Sequence, residues 1–226
     1  MLGLSISAIG MRPISECVQT FNALQLSLKL DFLELAIGSN CRIDFNYPDI
    51  PLILHDSCLY KGNSRQLLKL FKRETWAVYA DFIQESQNVV AVSLHAPRRW
   101  ECTLDELERS LTELQAVLQV PVSVEVMPTD DYWCSNLTSL VDFPLLLDVS
   151  HILIWQHGNL ETTEETCRQL LASHSVTGIH LSHNQGFADT HVPIPLDVWF
   201  AGDIASWRDR YFVTYESLPV VSTNPI

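Results

Sequence analysis

The chain has 226 residues, 47% of them hydrophobic and 18% charged, with 14 Lys and Arg against 27 Asp and Glu, a formal net charge of −13. That composition excludes a largely disordered chain, and the length suits one well-buried domain, so we read residues 1–226 as a single domain. A phosphate-tracking surface needs clustered cations, and only Arg98 and Arg99, or Lys69, Lys72 and Arg73, come near one, so nucleic acid is not an expected partner.

Along the chain, short runs rich in Val, Ile and Leu alternate with longer segments at helical spacing, the pattern of βα units around a parallel sheet. The opening MLGLSISAIG has no basic region before its apolar run and reads as a first strand, 2–9, rather than a signal peptide; the expected location is the cytoplasm. A helix is predicted at 14–28, strands at 32–37 and 52–55, and a longer helix at 64–82. A strand at 89–95 precedes a helix at 103–118, where Thr103 and Glu106 stand at capping-box spacing and Leu104, Leu107, Leu111 and Leu114 share a face. Strands follow at 122–126 and 145–149. The apolar stretch around the second is broken by Asp148 and His151 well short of a membrane span, so no membrane is expected. A short helix near Thr162–Leu171 and strands at 178–181 and 211–215 complete the series, while 128–143 and 192–208 are less regular. Cys17, Cys41, Cys58, Cys102, Cys134 and Cys167 form no C-x-x-C and read as reduced, mostly buried thiols.

Eight such strands are the number that closes a (β/α)8 TIM barrel, a compact one, since the usual length is about 250 residues. An open doubly wound sheet is the competing architecture. In a barrel the chemistry lies at the C-terminal strand ends, and here those ends are polar. The third to fifth strands run into His55 (LILHD), His95 (VVAVSLHAP) and Glu125 (VSVEVMP). The sixth runs into Asp148 and His151 (LLLDVSH), and the seventh into His180 and His183 (GIHLSH), followed by Asp189 and His191 (ADTH). The eighth reaches Glu216 (FVTYES), and Glu34 lies at the end of the second (FLELAIG).

Carboxylates buried near one another repel and are costly to desolvate, whereas divalent cations remove both penalties and select His, Asp and Glu. A shared metal site is therefore the expectation. Asp148 and His151 can both reach the mouth only if the chain leaves the extended conformation between them, while Asp189 and His191 share one face of an extended loop. Glu34 is either an extra catalytic acid or a structural carboxylate, and His183 either an auxiliary ligand or proton shuttle or a residue behind the ligands.

In its order of strand-end residues the sequence resembles the xylose isomerase-like TIM-barrel superfamily, which includes sugar isomerases and epimerases, endonuclease IV and the multinuclear non-heme iron-dependent oxidative enzymes. The resemblance implies a first metal on His55, His95 and Glu125. It implies a second shared by Glu125 with Asp148, His180 and Glu216, and a third on His151, Asp189 and His191. The stretch IHLSHNQGFADTHVPIPLDVW is more similar to the oxidative enzymes, and the Gly-x-Gly that endonuclease IV-type proteins carry after their Asp-x-His is missing.

The cofactor expectation is two or three divalent ions, iron first, with zinc or manganese as alternatives. Iron suits oxidation; zinc or manganese suits phosphate-ester hydrolysis, which the acidic charge disfavours; one dominant ion suits sugar or sugar-phosphate isomerisation or epimerisation. The substrate expectation is a small molecule or peptide, with a partner protein as a further option. A non-enzymatic barrel with an interaction surface of Trp100, Trp133, Trp155 and Trp199 is the remaining alternative.

Overall fold

The computed structural model describes residues 1–10, 13–36, 41–42, 49–61 and 64–220; Ile37 and the side chains of Cys41 and Cys58 lie outside the described set. In chain order the elements are β1 (Leu2–Ser5), α1 (Ile14–Leu28), β2 (Phe32–Ala36), β3 (Cys41–Arg42), β4 (Leu52–His55), β5 (Cys58–Lys61) and β6 (Ser64–Leu67). There follow α2 (Trp76–Ser86), β7 (Val89–His95), α3 (Leu104–Leu118), β8 (Val122–Glu125), β9 (Leu145–Asp148) and α4 (Val149–Trp155). The series ends with α5 (Leu160–Ser173), β10 (Val176–Leu181), α6 (Ile204–Arg208) and β11 (Phe212–Tyr215). Strands β1, β2, β4, β7, β8, β9, β10 and β11 pair in parallel, in that order, and close on themselves as an α/β TIM barrel. The open-sheet alternative is thereby excluded.

Alternation along each strand sorts the barrel lining into layers. Phe32, Ile53 and Ala91 pack together as an apolar floor, with the Phe212 ring edge-on to Phe32 at 5.8 Å. Gly3 lies against this floor, and a Cβ added there would overlap the Phe32 ring. Two residues along the same strands stand Glu34, His55 and Ser93, and the register aligns His55 with Ser93, His95 with Glu125, and His180 with Asp148. The lining thus changes from apolar to ligating within one step. Outside the barrel, α3 buries Leu107, Leu111, Leu114 and Leu118 on one face, and its Thr103–Glu106 capping box forms as the spacing predicts.

Beyond shifts of one or two residues at strand ends, the elements differ from expectation in three places. The first strand stops at Ser5, whose hydroxyl accepts a hydrogen bond from Ser7 N, and residues 6–9 form a 3-10 turn ending at Gly10 with φ 84°. The segment 64–82 is not one helix. Its first residues pair antiparallel with β5 in a small sheet of β3, β5 and β6, and helix begins only at Trp76. The Tyr79 hydroxyl on α2 donates to the carbonyls of Ser57 and Gln66, tying the small sheet to the helix. Finally, α4 begins immediately after β9, where Asp148 turns the chain by capping it.

Candidate metal centre

The ligating side chains converge at the C-terminal mouth of the barrel. Three sets each offer atoms lying within 4.8 Å of one another: His55, His95 and Glu125; Glu125, Asp148, His180 and Glu216; and His55, His180 and Glu216. Glu125 joins the first two sets with different oxygens. Its Oε2 lies 3.4 Å from His55 Nε2 and 3.2 Å from His95 Nε2, while its Oε1 lies 3.2 Å from His180 Nδ1. That same Nδ1 is 3.2 Å from Glu216 Oε2.

Each imidazole is held through one nitrogen by a group outside these sets. His55 Nδ1 meets Ser93 Oγ at 2.9 Å, His95 Nδ1 meets Asp56 Oδ2, and His151 Nδ1 donates to the Val126 carbonyl at 2.7 Å. His180 is reversed: Nε2 contacts Glu34 Oε2 at 2.9 Å, which leaves Nδ1 facing inward. Anchoring one nitrogen fixes the tautomer and aims the other, as in metal-binding histidines. Asp148 divides its carboxylate similarly. Oδ1 accepts from Ser150 N at 2.6 Å and His151 N at 3.0 Å, capping α4, while Oδ2 is buried and makes no hydrogen bond. Glu125 Oε2 is also buried without a hydrogen bond, although two imidazole nitrogens lie close to it. Nitrogen and oxygen atoms that approach at Glu125 Oε2 without hydrogen-bond geometry fit a shared cation, whereas Oε1 is hydrogen-bonded to His180 Nδ1 at 3.2 Å.

The electrostatics carry the same demand for positive charge. Burial works against a charged His95, but the Glu125 carboxylate and the Asp56 hydrogen bond overcome it and hold the imidazole up at about 9. His151 is likewise buried, yet Asp148 and Asp189 hold it up at about 10. Against its own burial, His180 is raised well above the usual range by Glu216 and Glu34. Burial would raise Glu125 and Glu216, but the histidines keep both low, Glu216 at about 2. Asp148 is the exception: burial lifts it to about 6, with His151 opposing and Glu216 and Glu125 reinforcing the rise. Protons on the imidazoles or divalent cations between the groups can each satisfy this network, and cation binding displaces those protons.

Of the remaining sequence-predicted residues, Asp189 lies in the loop after β10, its Oδ2 3.4 Å from His151 Nε2 and its Oδ1 3.2 Å from His191 Nε2. Among the described residues this trio is linked through Asp189 but does not close into a set as compact as the others. The Asp189 and His191 side chains are 40% and 32% exposed, so they form the rim. Glu34 is fully buried in the middle of β2, against His180 and Thr214 and in the same layer as His55 and Ser93. His183 is half-buried, its backbone carbonyl pairs with Val192 N, and it joins none of the ligand sets. The sequence reading passed over Asp56 and Ser93 as partners of the ligands. Asp56 directly follows His55 and sits at φ 39°, a strained conformation for a non-glycine residue, and that His-Asp dipeptide was the available signal.

The closed eight-stranded parallel barrel defines the fold as a TIM barrel, with acids and histidines at its mouth. Two solved structures are similar to it. The crystal structure of SacUVDE aligns with a TM-score of 0.51 and 11% identity, over 89% of this chain and 79% of that one. A Rhodospirillum rubrum protein provisionally named a xylose isomerase aligns with a TM-score of 0.57 and 12% identity, over 99% and 92%. Likeness at such identity carries the fold and leaves activity open. The sequence matches no family model and no curated protein. No helix among the described residues is long and apolar enough to cross a membrane.

Proposed function

We propose that the chain is a metal-dependent enzyme with two ions side by side in the barrel mouth and a third at the rim, most similar to the multinuclear non-heme iron oxidative enzymes. The observation that carries this reading is Glu125, whose two oxygens face separate nitrogen sets, the arrangement of a bridging carboxylate. His55, His95 and Glu125 would hold the first ion, and Glu125, Asp148, His180 and Glu216 the second. His151, Asp189 and His191 would complete a third site on a modest movement of the rim loop. The histidine-rich donor set favours iron, then zinc or manganese, over magnesium or calcium. Iron held there would supply one-electron chemistry toward substrate or dioxygen, and zinc or manganese would supply Lewis acidity.

The chain's own residues divide the remaining work. Buried Glu34, Ser93 and the Val126 carbonyl keep the imidazoles oriented. The half-exposed His95, Asp189 and His191 leave approaches through which a substrate reaches the centre. A small molecule is the proposed substrate class, nucleic acid is disfavoured by the net charge of −13, and the buried thiols Cys134 and Cys167 suit a cytoplasmic location.

A second reading, sugar or sugar-phosphate isomerase or epimerase, draws on the compact set Glu125, Asp148, His180 and Glu216, which suffices for one dominant ion. Elemental analysis of anaerobically purified protein separates the two. Two or three irons per chain support the oxidative reading, and a single manganese or magnesium replaces it with the isomerase. Protein that binds no iron, zinc or manganese when each is supplied overturns both.

A further inference from the structure

We propose that the cavity beside His95 seats a small organic anion, a carboxylate or phosphate on an apolar body, with Lys69 and Lys72 receiving the charge. This names the substrate class of the centre proposed above and rests on that reading for its role in catalysis. The cavity is about 440 Å³, within the range of small-molecule sites and too small for a folded partner. One wall is the His95 ring, 40% exposed, whose Nε2 faces Glu125, so a molecule in the cavity borders the first ligand set.

Lys69 and Lys72 are the two cations that line this cavity. Arg73, Arg98, Arg168 and Arg208 are each paired with a carboxylate. Among the described residues, neither Lys69 nor Lys72 has a carboxylate within 4.0 Å, in a chain whose net charge is −13. Two acids also line the cavity, but both are turned to the protein's own donors: Asp56 to the His95 ring and backbone N, and Glu101 Oε2 to Arg98 N at 2.7 Å.

The turn that carries the lysines is fixed before any ligand arrives. Lys72 N donates to Lys69 O at 3.0 Å, Thr75 Oγ1 donates to Lys72 O at 2.7 Å and accepts from Lys69 N at 3.1 Å. The buried Trp76 donates its Nε1 to Lys69 O at 3.0 Å. Leu94, Pro97 and the exposed Phe71 supply the apolar wall that a purely inorganic ion would leave unused. Lysines act as point charges without the arginine fork, so carboxylate and phosphate are both accommodated.

The test is isothermal titration of phenyl phosphate, benzoate and neutral benzyl alcohol into the protein as purified, the same protein after metal removal, and a Lys69→Gln/Lys72→Gln variant, with metal content measured in every sample. At least one of the two anions is expected to bind tenfold or more tightly than the alcohol, with the tighter anion identifying the headgroup. The double variant is expected to lose at least tenfold of that affinity while keeping the wild-type metal content. Equal affinity in the double variant, equal affinity for the alcohol, or no binding of either anion overturns the proposal. Lysine-dependent binding by a protein that takes up no metal overturns the metal reading alone, whereas lysine-independent binding by a metal-loaded protein overturns the anion site alone.

Discussion

Asp148 serves the fold with one oxygen and the candidate centre with the other, and substitution separates the two roles. Asp148→Asn keeps an oxygen to cap α4 and discards the charge; Asp148→Ala discards both. Loss of the cap destabilises by about 1 kcal/mol. The charge acts in the opposite sense. In metal-free protein, burial holds the carboxyl at about 6, against His151 and with Glu216 and Glu125, where an unfolded Asp titrates near ~3.9. Between these values the unfolded chain has released a proton that the folded chain retains, so stability falls as pH rises from about 4 to 6 and remains reduced above that window. A displacement of about 2 pH units corresponds to a penalty on the order of 3 kcal/mol at pH 7.

Metal-free Asp148→Asn should therefore be more stable than metal-free wild type by about 2–3 kcal/mol at neutral pH, a rise in Tm of roughly 4–12 °C for a chain of this size. Asp148→Ala should gain about 1 kcal/mol less. Both should carry less bound metal than wild type. The assays are thermal melts of chelator-treated protein followed by circular dichroism, at pH 4 and pH 7, with elemental analysis of untreated samples. An Asn variant that retains full metal content, or that melts below metal-free wild type at pH 7, would falsify the reasoning.

Three further substitutions or conditions probe other parts of the structure. Glu34→Gln should weaken metal affinity roughly 10–100-fold while leaving the circular dichroism spectrum intact, because Glu34 anchors the His180 nitrogen that faces away from the ligands; unchanged affinity in a chelator competition would reject that role. Gly186 has φ 81°, and a Cβ there would overlap the Gly158 backbone. Gly186→Ala should consequently cost about 2 kcal/mol or more and disturb the loop carrying Asp189 and His191; a Tm within about 2 °C of wild type would contradict it. Burial pushes the Cys134 and Cys167 thiols up to about 12 from an ordinary 9.0. Their contribution is fully present below pH 9 and declines above it by about 1.4 kcal/mol per pH unit for each thiol, as the unfolded chain loses protons that the folded chain keeps. Urea midpoints at pH 8 and 10 measure the decline, and equal midpoints would count against buried, protonated thiols.

The barrel was legible because its strands are short apolar runs, and the expected ranges at 52–55 and 89–95 match β4 and β7. Leucines and aromatics between Leu67 and Phe71 produced the misleading helical period. They recur because the turn buries Leu68 and presents Leu70 and Phe71 to a cavity, which is a tertiary demand with no helix behind it. The sequence V-S-H-I-L-I-W after Asp148 conceals α4 for the opposite reason. Its β-branched residues favour strand, but the carboxylate satisfies the first free N–H groups and the helix packs on β10 and α5.

The candidate ligands were legible for a different reason, since acids and histidines inside apolar strand ends are conspicuous residue types. What orients them was hidden, because the partners have no common chemistry: a serine hydroxyl, a backbone carbonyl, and two carboxylates. Only the register identifies them. Ser93 stands beside His55 because β4 and β7 pair at that level, and Glu34 reaches His180 across the barrel from β2 to β10. The reversal at His180 follows from the same geometry. The Glu34 carboxylate takes Nε2, so Nδ1 faces Glu125 and Glu216, whereas His55 and His95 are held at Nδ1 and present Nε2. Ligand identity is thus a property of the strand, and ligand orientation a property of the closed barrel.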